Sequence, residues 1–547
     1  AIMMFATTGI LSLLLSTVLA APTARVDSPT YVPLDADCPS ESLVRAASGL
    51  STNEEAYRVS RKAVADEALK SWLAETNSDF GTDELPTIAL SSSGGGLRAM
   101  LSGAGVIQGL DARDSNASTT GLFQALTYHS ALSGGAWLLT SFAGNNYPTI
   151  SSLADNLWGL AIQDSLLDPQ ALDVLIDDLT IADQIVLKES AGFDTTLIDV
   201  YDRLLGYQLY EQADGGAGVT LSSITGFSNF TSHAVPYPII TALGAKVWLG
   251  ECVPGPNATT YEFSPFEFGS WDSDVSAFTP TEYLGTSMEG GSPVSSCTTN
   301  YDNIGYIAGT SSDVFASELC IELSDPASEL VTDMEQILVK VHEISTSDQY
   351  ATYRNPFYKY QSSTQVPNPA NAIADQESLS LVDGGVALQN NPIFPHLQPA
   401  RKVDVLLVND NSADTSYNWP NGSEILTTYV QSFNHNLTRM PYIPPVDTFI
   451  AEGLNKKATF FGCNDSSKMT IVYLPNADFT FSSNVSTYQL SYSEAEQAAM
   501  IANGVQVVTQ GGKAGWGTCL GCAVMMKTNQ TLPDDCTACF AEYCYYQ

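Results

Sequence analysis

Basic residues are scarce in this 547-residue sequence, and their scarcity excludes one class of partner. Lys and Arg number 22 against 60 Asp and Glu, which gives a formal net charge of -38 at pH 7. Because binding to phosphate backbones needs clustered cationic side chains, we expect no nucleic-acid partner. A solvated acidic surface is the simplest interpretation, and the composition also suits a protein that works in acidic surroundings.

Long apolar runs are also missing. After the N-terminus no segment reaches the roughly 18 uninterrupted apolar residues of a membrane-spanning helix, so we expect no transmembrane anchor. The apolar run of residues 10–19 is shorter than a membrane span and is followed by two alanines, as in a secretory signal peptide. We therefore assign residues 1–20 to a signal peptide and residues 21–36 to an extended lead-in, and we expect an extracellular protein.

Glycosylation motifs and cysteines agree with secretion. Asn-x-Ser/Thr sequons without an intervening proline occur at Asn116, Asn229, Asn257, Asn421, Asn436, Asn464, Asn484 and Asn529. The ten cysteines are an even number, which in an oxidising compartment predicts disulfides whose pairing stays open. The pairs Cys519-x-x-Cys522 and Cys536-x-x-Cys539 nearly match a zinc ribbon, but secretion favours disulfides, and we expect no metal.

The rest of the chain has the composition of one large folded domain. Hydrophobic residues make up 44% and charged residues 15%, and no composition break divides the sequence. Short apolar strands alternate with amphipathic helices, which predicts an α/β fold. Residues 150–345 contain helical stretches, such as Asp173–Val186 and Thr195–Tyr210, separated by Gly/Pro/Ser-rich loops. We therefore predict a single domain over residues 37–547, with a large helical and loop insertion and a Cys-rich C-terminal end.

Ser133 is the candidate nucleophile. An apolar strand candidate within Leu122–Leu132 runs directly into Ser133-Gly-Gly, and Ala136–Phe142 continues as an apolar helix. A serine at a sharp strand-to-helix turn exposes its Oγ for attack on an ester carbonyl. Taken alone, a Ser-Gly-Gly sequence is more often a plain turn.

A glycine turn precedes this segment. Ser93-Gly-Gly-Gly follows a strand candidate at Pro86–Ser92 and opens a predicted helix at Leu97–Leu110. Backbone N–H groups at such a turn can bind an oxyanion or a phosphate. Arg98, in the first turn of the helix, offers a guanidinium for the same phosphate. The turn matches neither G-x-G-x-x-G nor a P-loop, so we expect no nucleotide and no other cofactor.

The base that would activate Ser133 has two candidate sources. Asp383-Gly-Gly follows a strand candidate at Ser378–Val382, and an aspartate held against the serine hydroxyl would form a dyad without histidine. His396 and His435 follow Asp383 in the Ser–Asp–His order of α/β-hydrolases, so a triad is also possible. Neither histidine has a local signature of its own.

Three blocks in this order resemble the catalytic blocks of the cytosolic phospholipase A2 and fungal phospholipase B superfamily. They are Ser93-Gly-Gly-Gly-Leu-Arg98-Ala-Met, Leu132-Ser133-Gly-Gly and Asp383-Gly-Gly. Phe266-Glu-Phe-Gly-Ser-Trp-Asp and the Cys-rich C-terminus further resemble the secreted fungal branch. The resemblance covers residues 37 to the end. It implies a patatin-like and cytosolic phospholipase A2-like fold, with a central mixed sheet and helices on both faces.

The resemblance also implies residue roles and substrates. Ser133 would be the nucleophile, Asp383 the base, Gly95 and Gly96 the oxyanion hole, and Arg98 the ligand of the substrate phosphate. The implied activity is that of a secreted lysophospholipase or phospholipase B. It would act on lysophospholipids and phospholipids in micelles or membranes, with acyl transfer as a second activity. Calcium dependence is not expected, because we find no C2 domain.

One position departs from the family pattern, and two other functions stay open. Ala131 stands where the family usually has glycine, so the geometry of the turn at Ser133 depends on how an alanine fits there. The first alternative is a Ser–His–Asp carboxylesterase or neutral lipase. The second is a non-catalytic, lipid-binding surface protein.

Overall fold

The structure is a computed structural model that describes residues 31–163, 180–212, 214–245, 253–315, 334–335, 338–339, 343, 346–362 and 373–546. The predicted signal peptide lies outside these ranges, as does the first part of the helix predicted at Asp173–Val186. None of the helices in these ranges combines the length and the apolar character needed to cross a bilayer.

Sixteen strands occur in the described residues. In chain order they are β1 (Leu34–Ala36), β2 (Arg45–Ala46), β3 (Ile88–Ser92), β4 (Leu126–Ala131), β5 (Tyr237–Gly244), β6 (Thr260–Phe263), β7 (Glu267–Ser270), β8 (Ala277–Pro280), β9 (Met288–Glu289), β10 (Ser292–Pro293), β11 (Cys297–Thr299), β12 (Ala351–Arg354), β13 (Ser378–Val382), β14 (Val405–Asp410), β15 (Thr459–Phe461) and β16 (Thr470–Pro475).

Twelve of these strands form one mixed sheet. Its order is β15-β16-β14-β3-β4-β5-β6-β7-β8-β2, with β13 on β5 and β12 on β13. The pairs from β16 through β5 are parallel and the remaining pairs are antiparallel. Every residue of β3, β4 and β14 is buried, as expected for parallel strands that are covered on both faces.

The helices pack around this sheet. They are α1 (Thr52–Thr76), α2 (Gly96–Leu110), α3 (Gly134–Gly144), α4 (Ile150–Leu153), a π-helical turn (Ala154–Trp158), α5 (Gly159–Ala161), α6 (Thr180–Ser190), α7 (Leu197–Leu209), α8 (Ser228–Thr231), α9 (Ile304–Ser311), α10 (Phe394–Leu397), α11 (Ser423–Asn434), α12 (Val446–Ala451), α13 (Glu494–Thr509), α14 (Trp516–Met525) and α15 (Asp535–Tyr543). Short 3-10 turns lie at Ser222–Gly226, Thr281–Tyr283, Thr346–Gln349, Gly384–Ala387 and Pro399–Arg401.

Helix α2 carries the glycine turn at its N-terminus, and close packing fixes its position. A Cβ at Gly105 would overlap the carbonyl oxygen of Ile501 on α13, and a Cβ at Gly504 would overlap that of Ser102. The two helices therefore approach each other backbone to backbone, which only glycine permits at these positions. This contact holds α2 rigidly beneath the site described below.

The segment between residues 150 and 345 contains more strand than its pattern indicated. Strands β5 to β8 fall within it and extend the central sheet on one side. Three of them are only four residues long, so they are too short to show a periodicity against the surrounding loops. Their burial in the sheet stabilises them more than their own propensity does.

Four disulfides lie within the described residues. Cys38–Cys297 ties β1 beside β11, Cys463–Cys544 anchors the C-terminus, and Cys519–Cys539 and Cys522–Cys536 join α14 to α15. The last two pairs use all four cysteines of the zinc-ribbon alternative, which is thereby wrong. Cys252 and Cys320 lie outside the described residues.

Candidate active site

Ser133 occupies a strained turn between β4 and α3. Its backbone has φ 54° and ψ -126°, in a region that non-glycine residues rarely adopt. The residue that follows must be glycine, because a Cβ at Gly134 would overlap the carbonyl oxygen of Gly96. The turn therefore forces the serine side chain out of the strand direction, as a nucleophile elbow requires.

Ala131 does not disturb this turn. It is the last residue of β4, pairs with Ser92 of β3 and Ile240 of β5, and is fully buried. Its backbone is not among those with positive φ, so no glycine is required there. The departure from the family pattern thus leaves the geometry at Ser133 intact.

Asp383 lies beside Ser133, at the end of β13. Its buried carboxylate accepts a hydrogen bond at 2.7 Å from the backbone N–H of Gly385, and the Ser133 side chain lies next to it in the same cavity. Burial raises the pKa of Asp383 to about 6, although the Ser133 side chain and the N–H of Gly385 lower it. The carboxyl is thus ionised at neutral pH and poised to accept a proton near pH 6.

The glycine turn passes directly against the serine. A Cβ at Gly94 would overlap Ser133 Cβ, and Gly95 and Gly96 have positive φ angles of 136° and 62°. In the described part of the chain, the backbone N–H groups of Gly95 and Gly96 have no acceptor. Both residues line the same cavity as Ser133, so two unpaired donors lie at the N-terminus of α2 next to the hydroxyl.

Arg98 is buried in the first turn of α2. Its Nε donates to the carbonyl oxygen of Asn411 at 3.0 Å, and its Nη1 donates to that of Val485 at 2.7 Å. Its Nη2 is buried and has no partner among the described residues. Burial lowers the pKa of Arg98 to about 10, so the group stays cationic. Nη2 is therefore the one guanidinium nitrogen without a protein partner, and it lies against Gly95 at the cavity that Arg98 lines.

These groups share a cavity of about 450 Å³. One part of its wall is apolar and aromatic, with Trp137, Tyr201 and Phe315, and another part carries the carboxyl groups of Asp414 and Glu424. Burial, together with the nearby charge of Asp410, raises the pKa of Asp414 to about 7. Burial also raises the pKa of Glu424 well above its usual value. The cavity thus joins an apolar, aromatic region to a polar region around Arg98.

A family model described as the lysophospholipase catalytic domain matches residues 88–547. The chain belongs to this family. Lysophospholipase from Penicillium chrysogenum is 38% identical, over 94% of this chain and 90% of its own length. Lysophospholipase 1 from Saccharomyces cerevisiae is also 38% identical, over 94% of this chain and 83% of its own length. Family membership confirms the predicted enzyme class, a carboxylic ester hydrolase.

Solved structures agree with the fold. Human GIVD cytosolic phospholipase A2 superposes with a TM-score of 0.68 at 18% identity, covering 89% of this chain and 69% of its own. The same human protein in complex with methyl gamma-linolenyl fluorophosphonate gives a TM-score of 0.64. This likeness confirms the predicted mixed-sheet α/β fold of the cytosolic phospholipase A2 type.

In this lysophospholipase-family chain, three described histidines interact with residues other than Ser133. His396 is buried with its Nε2 2.8 Å from Ser130 Oγ, and His435 pairs with Asp272 at 2.8 Å. His129 is also buried, against Ser92, and burial lowers its pKa to about 3. None of these histidines lines the cavity, and His342 lies outside the described residues. The triad alternative therefore gains no geometric support from His396 or His435.

Sequence reasoning missed Asn390. Its Nδ2 donates to the carbonyl oxygen of Gly94 at 3.1 Å and to Ser412 Oγ at 2.7 Å, and its backbone N–H donates to Glu424 at 2.8 Å. One side chain thereby connects the glycine turn, the loop after Asp383 and the loop after β14. Only the proximity of Asn390 to the Asp-Gly-Gly block could have pointed to it.

The eight sequons all lie in described residues. Asn116, Asn257, Asn436, Asn464 and Asn529 are exposed, and Asn229, Asn421 and Asn484 are half-buried. The side-chain amides of Asn229 and Asn484 donate to the carbonyl oxygens of Asn146 and Tyr417. Glycans at the five exposed sites would meet no packed side chains, whereas the other three sites are more constrained.

Proposed function

We propose that the chain is a secreted lysophospholipase or phospholipase B that hydrolyses fatty-acyl esters of lysophospholipids and glycerophospholipids through a Ser133–Asp383 dyad. One observation carries the proposal. Ser133, whose backbone is strained, lies with the carboxyl group of Asp383 and the unpaired N–H groups of Gly95 and Gly96 in one cavity, and its side chain lowers the pKa of Asp383.

The reaction follows from these positions. Asp383 takes the hydroxyl proton as Ser133 Oγ attacks the ester carbonyl, and the N–H groups of Gly95 and Gly96 stabilise the negative charge on the carbonyl oxygen. Asp383 then returns the proton to the departing glycerol oxygen, which leaves an acyl ester on Ser133. Because the base is a carboxylate, no histidine is needed at any step.

Completion of the cycle needs an acceptor for the acyl group. Water, activated by Asp383, releases a fatty acid and restores the serine hydroxyl. A second lysolipid in place of water would give a diacyl product, and this accounts for the proposed acyl transfer. The aromatic wall formed by Trp137, Tyr201 and Phe315 would hold the acyl chain during both steps.

Release of fatty acid from lysophosphatidylcholine micelles, in the presence of a calcium chelator, tests the proposed function. We expect hydrolysis that the chelator does not reduce, together with labelling of the protein by a fluorophosphonate probe. A protein that binds the micelles but gives neither fatty acid nor labelling would be the non-catalytic alternative. Loss of activity on replacing His396 or His435, which the dyad should survive, would instead favour the triad esterase.

Replacing Arg98 with alanine should reduce the hydrolysis of phospholipids much more than the hydrolysis of neutral esters. We expect kcat/KM for lysophosphatidylcholine to fall roughly 10- to 100-fold, the usual effect of losing one hydrogen bond to a charged group. The value for a monoacylglycerol of the same chain length should fall much less, because that substrate has no phosphate. Equal losses on both substrates would contradict the role of Arg98, and circular dichroism would reveal a loss of fold.

Secretion and glycosylation belong to the same proposal. We expect expression in a eukaryotic secretory host to remove residues 1–20 and to attach glycans at the five exposed sequons, Asn116, Asn257, Asn436, Asn464 and Asn529. Glycopeptide mapping by mass spectrometry would identify the occupied sites. Export without any glycan, or glycans confined to the half-buried Asn229, Asn421 and Asn484, would contradict this assignment.

A further inference from the structure

Arg98 is the only basic residue among the described residues that line the cavity. Three acids, Asp383, Asp414 and Glu424, line the same cavity. In a space of low dielectric, several ionised carboxylates would strongly disfavour the entry of a phosphate anion. Binding of a phospholipid next to Arg98 therefore requires that some of these carboxyl groups carry no charge.

Arg98 differs from a structural buried arginine. Arg401, which is equally buried, forms ion pairs with Glu54 at 2.8 Å and with Glu262 at 2.7 Å. Arg98 has no carboxylate within ion-pair distance among the described residues, and its buried Nη2 lacks any partner. An unpaired buried guanidinium nitrogen is costly unless a ligand uses it. The arrangement points to an anionic ligand at Nη2.

Asp414 is the acid whose charge bears most directly on that ligand. It lines the cavity and interacts electrostatically with Arg98 without forming an ion pair with it. One of its oxygens accepts the backbone N–H of Asn421 at 2.9 Å. The neighbouring Asp410 is different, because its oxygens accept hydrogen bonds from Ser412 and, at 2.7 Å, from Tyr473.

We infer that Asp414 is a specificity-determining residue of this site. Its neutral form lets Arg98 bind the phosphate of the substrate, and its ionised form repels that phosphate while leaving uncharged esters unaffected. This inference rests on the proposed function, and it assigns to Asp414 a role that the catalytic blocks do not contain.

The electrostatic surroundings of Asp414 support this role. Burial and Asp410 raise its pKa to about 7, while Arg98 and the hydrogen bonds from Asn421 and Ser423 lower it. Glu424 and the phenol of Tyr473 also interact with Asp414, and Tyr492 interacts with Arg98; each of these three groups has a raised pKa. Deprotonation of Asp414 thus falls between pH 6 and pH 8, where lysophosphatidylcholine itself does not change charge.

The test compares two substrates over this pH range. We expect the ratio of kcat/KM for lysophosphatidylcholine to that for the matching monoacylglycerol to fall about tenfold from pH 6 to pH 8 in the wild type. In Asp414→Asn the ratio should stay within about twofold. Glu424→Gln is the matched control, because it removes a neighbouring acid of the same cavity. In this variant the ratio should still fall between pH 6 and pH 8.

A flat ratio in the wild type, or an unchanged fall in Asp414→Asn, would overturn the inference. If Asp414→Asn does not fold, inhibition of monoacylglycerol hydrolysis by glycerophosphocholine in the wild type decides instead. Its inhibition constant should rise about tenfold from pH 6 to pH 8, and a constant value would overturn the inference. If neither ester is hydrolysed, it is the proposed function that fails.

Discussion

Replacing Ser133 with alanine is expected to lower kcat for lysophosphatidylcholine by roughly 10⁶-fold, the usual effect of removing a catalytic serine. Alanine keeps the Cβ that the turn already accommodates, so the elbow between β4 and α3 should persist. Only the hydroxyl disappears, and with it the acyl-enzyme. Fatty-acid release, fluorophosphonate labelling and a thermal unfolding curve measure the three consequences separately.

Ser91 provides the matched control for this substitution. It lies in the neighbouring strand β3, is fully buried and has an Oγ without a partner among the described residues. Ser91→Ala also removes a serine Oγ, from the neighbouring strand, and should leave both activity and labelling unchanged. Activity of Ser133→Ala within tenfold of the wild type, with the fold intact, would show that another residue is the nucleophile.

The elbow and the glycine turn could be predicted because their signals are local. Strand, turn and helix follow one another within a few residues of Ser133 and of Gly95, and parallel buried strands have a clear apolar pattern. The structure has helix α3 and strand β4 where this pattern indicated them. It also explains why Ala131 fits, which the pattern alone did not decide.

The position of Asp383 depends on the sheet topology, which no local pattern contains. Strand β13 pairs with β5, β5 pairs with β4, and Ser133 follows β4, so residues 250 positions apart meet at one edge. From the residues alone, a dyad and a triad both remained possible, although no histidine had a local signature comparable to Asp383-Gly-Gly. The resemblance to a family then favoured the dyad.

The polar wall of the cavity was beyond sequence reasoning for the same reason. Asp414 and Glu424 come from the loop after β14 and from the first turn of α11, and parallel pairing of β14 with β3 brings this segment beside the glycine turn. Each is an ordinary acid among 60 in the sequence. Their raised pKa values arise from burial, which a sequence does not reveal.

Replacing Asp383 with asparagine is expected to lower kcat by roughly 10²- to 10⁴-fold, the range of a general base. Asparagine is nearly isosteric, and its Oδ1 can still accept the N–H of Gly385, so the loop after β13 should keep its conformation. The side chain can no longer take the proton of Ser133. Hydrolysis of a monoacylglycerol gives the cleanest measurement, because that substrate is independent of Arg98 and Asp414.

The pH profile of the same reaction distinguishes a base from a structural residue. Since the pKa of Asp383 is raised to about 6, wild-type kcat/KM should rise about tenfold per pH unit below pH 6 and level off above it. Asp383→Asn should lose this rise. Asp302→Asn is the matched control, because Asp302 is equally buried and has a pKa raised to about 6, yet it does not line the cavity.

We therefore expect Asp302→Asn to keep both the wild-type rate of hydrolysis and the increase of kcat/KM with pH below pH 6. Asp383→Asn should lose both. An Asp383→Asn variant that keeps more than a tenth of the activity and the same rise would exclude Asp383 as the base. The proton acceptor would then have to be another group that titrates near pH 6. Among the described histidines, burial holds the pKa of His129 and His396 far below that range, His435 is paired with Asp272, and neither His435 nor His233 lines the cavity. The dyad thus makes a prediction that no described histidine could imitate.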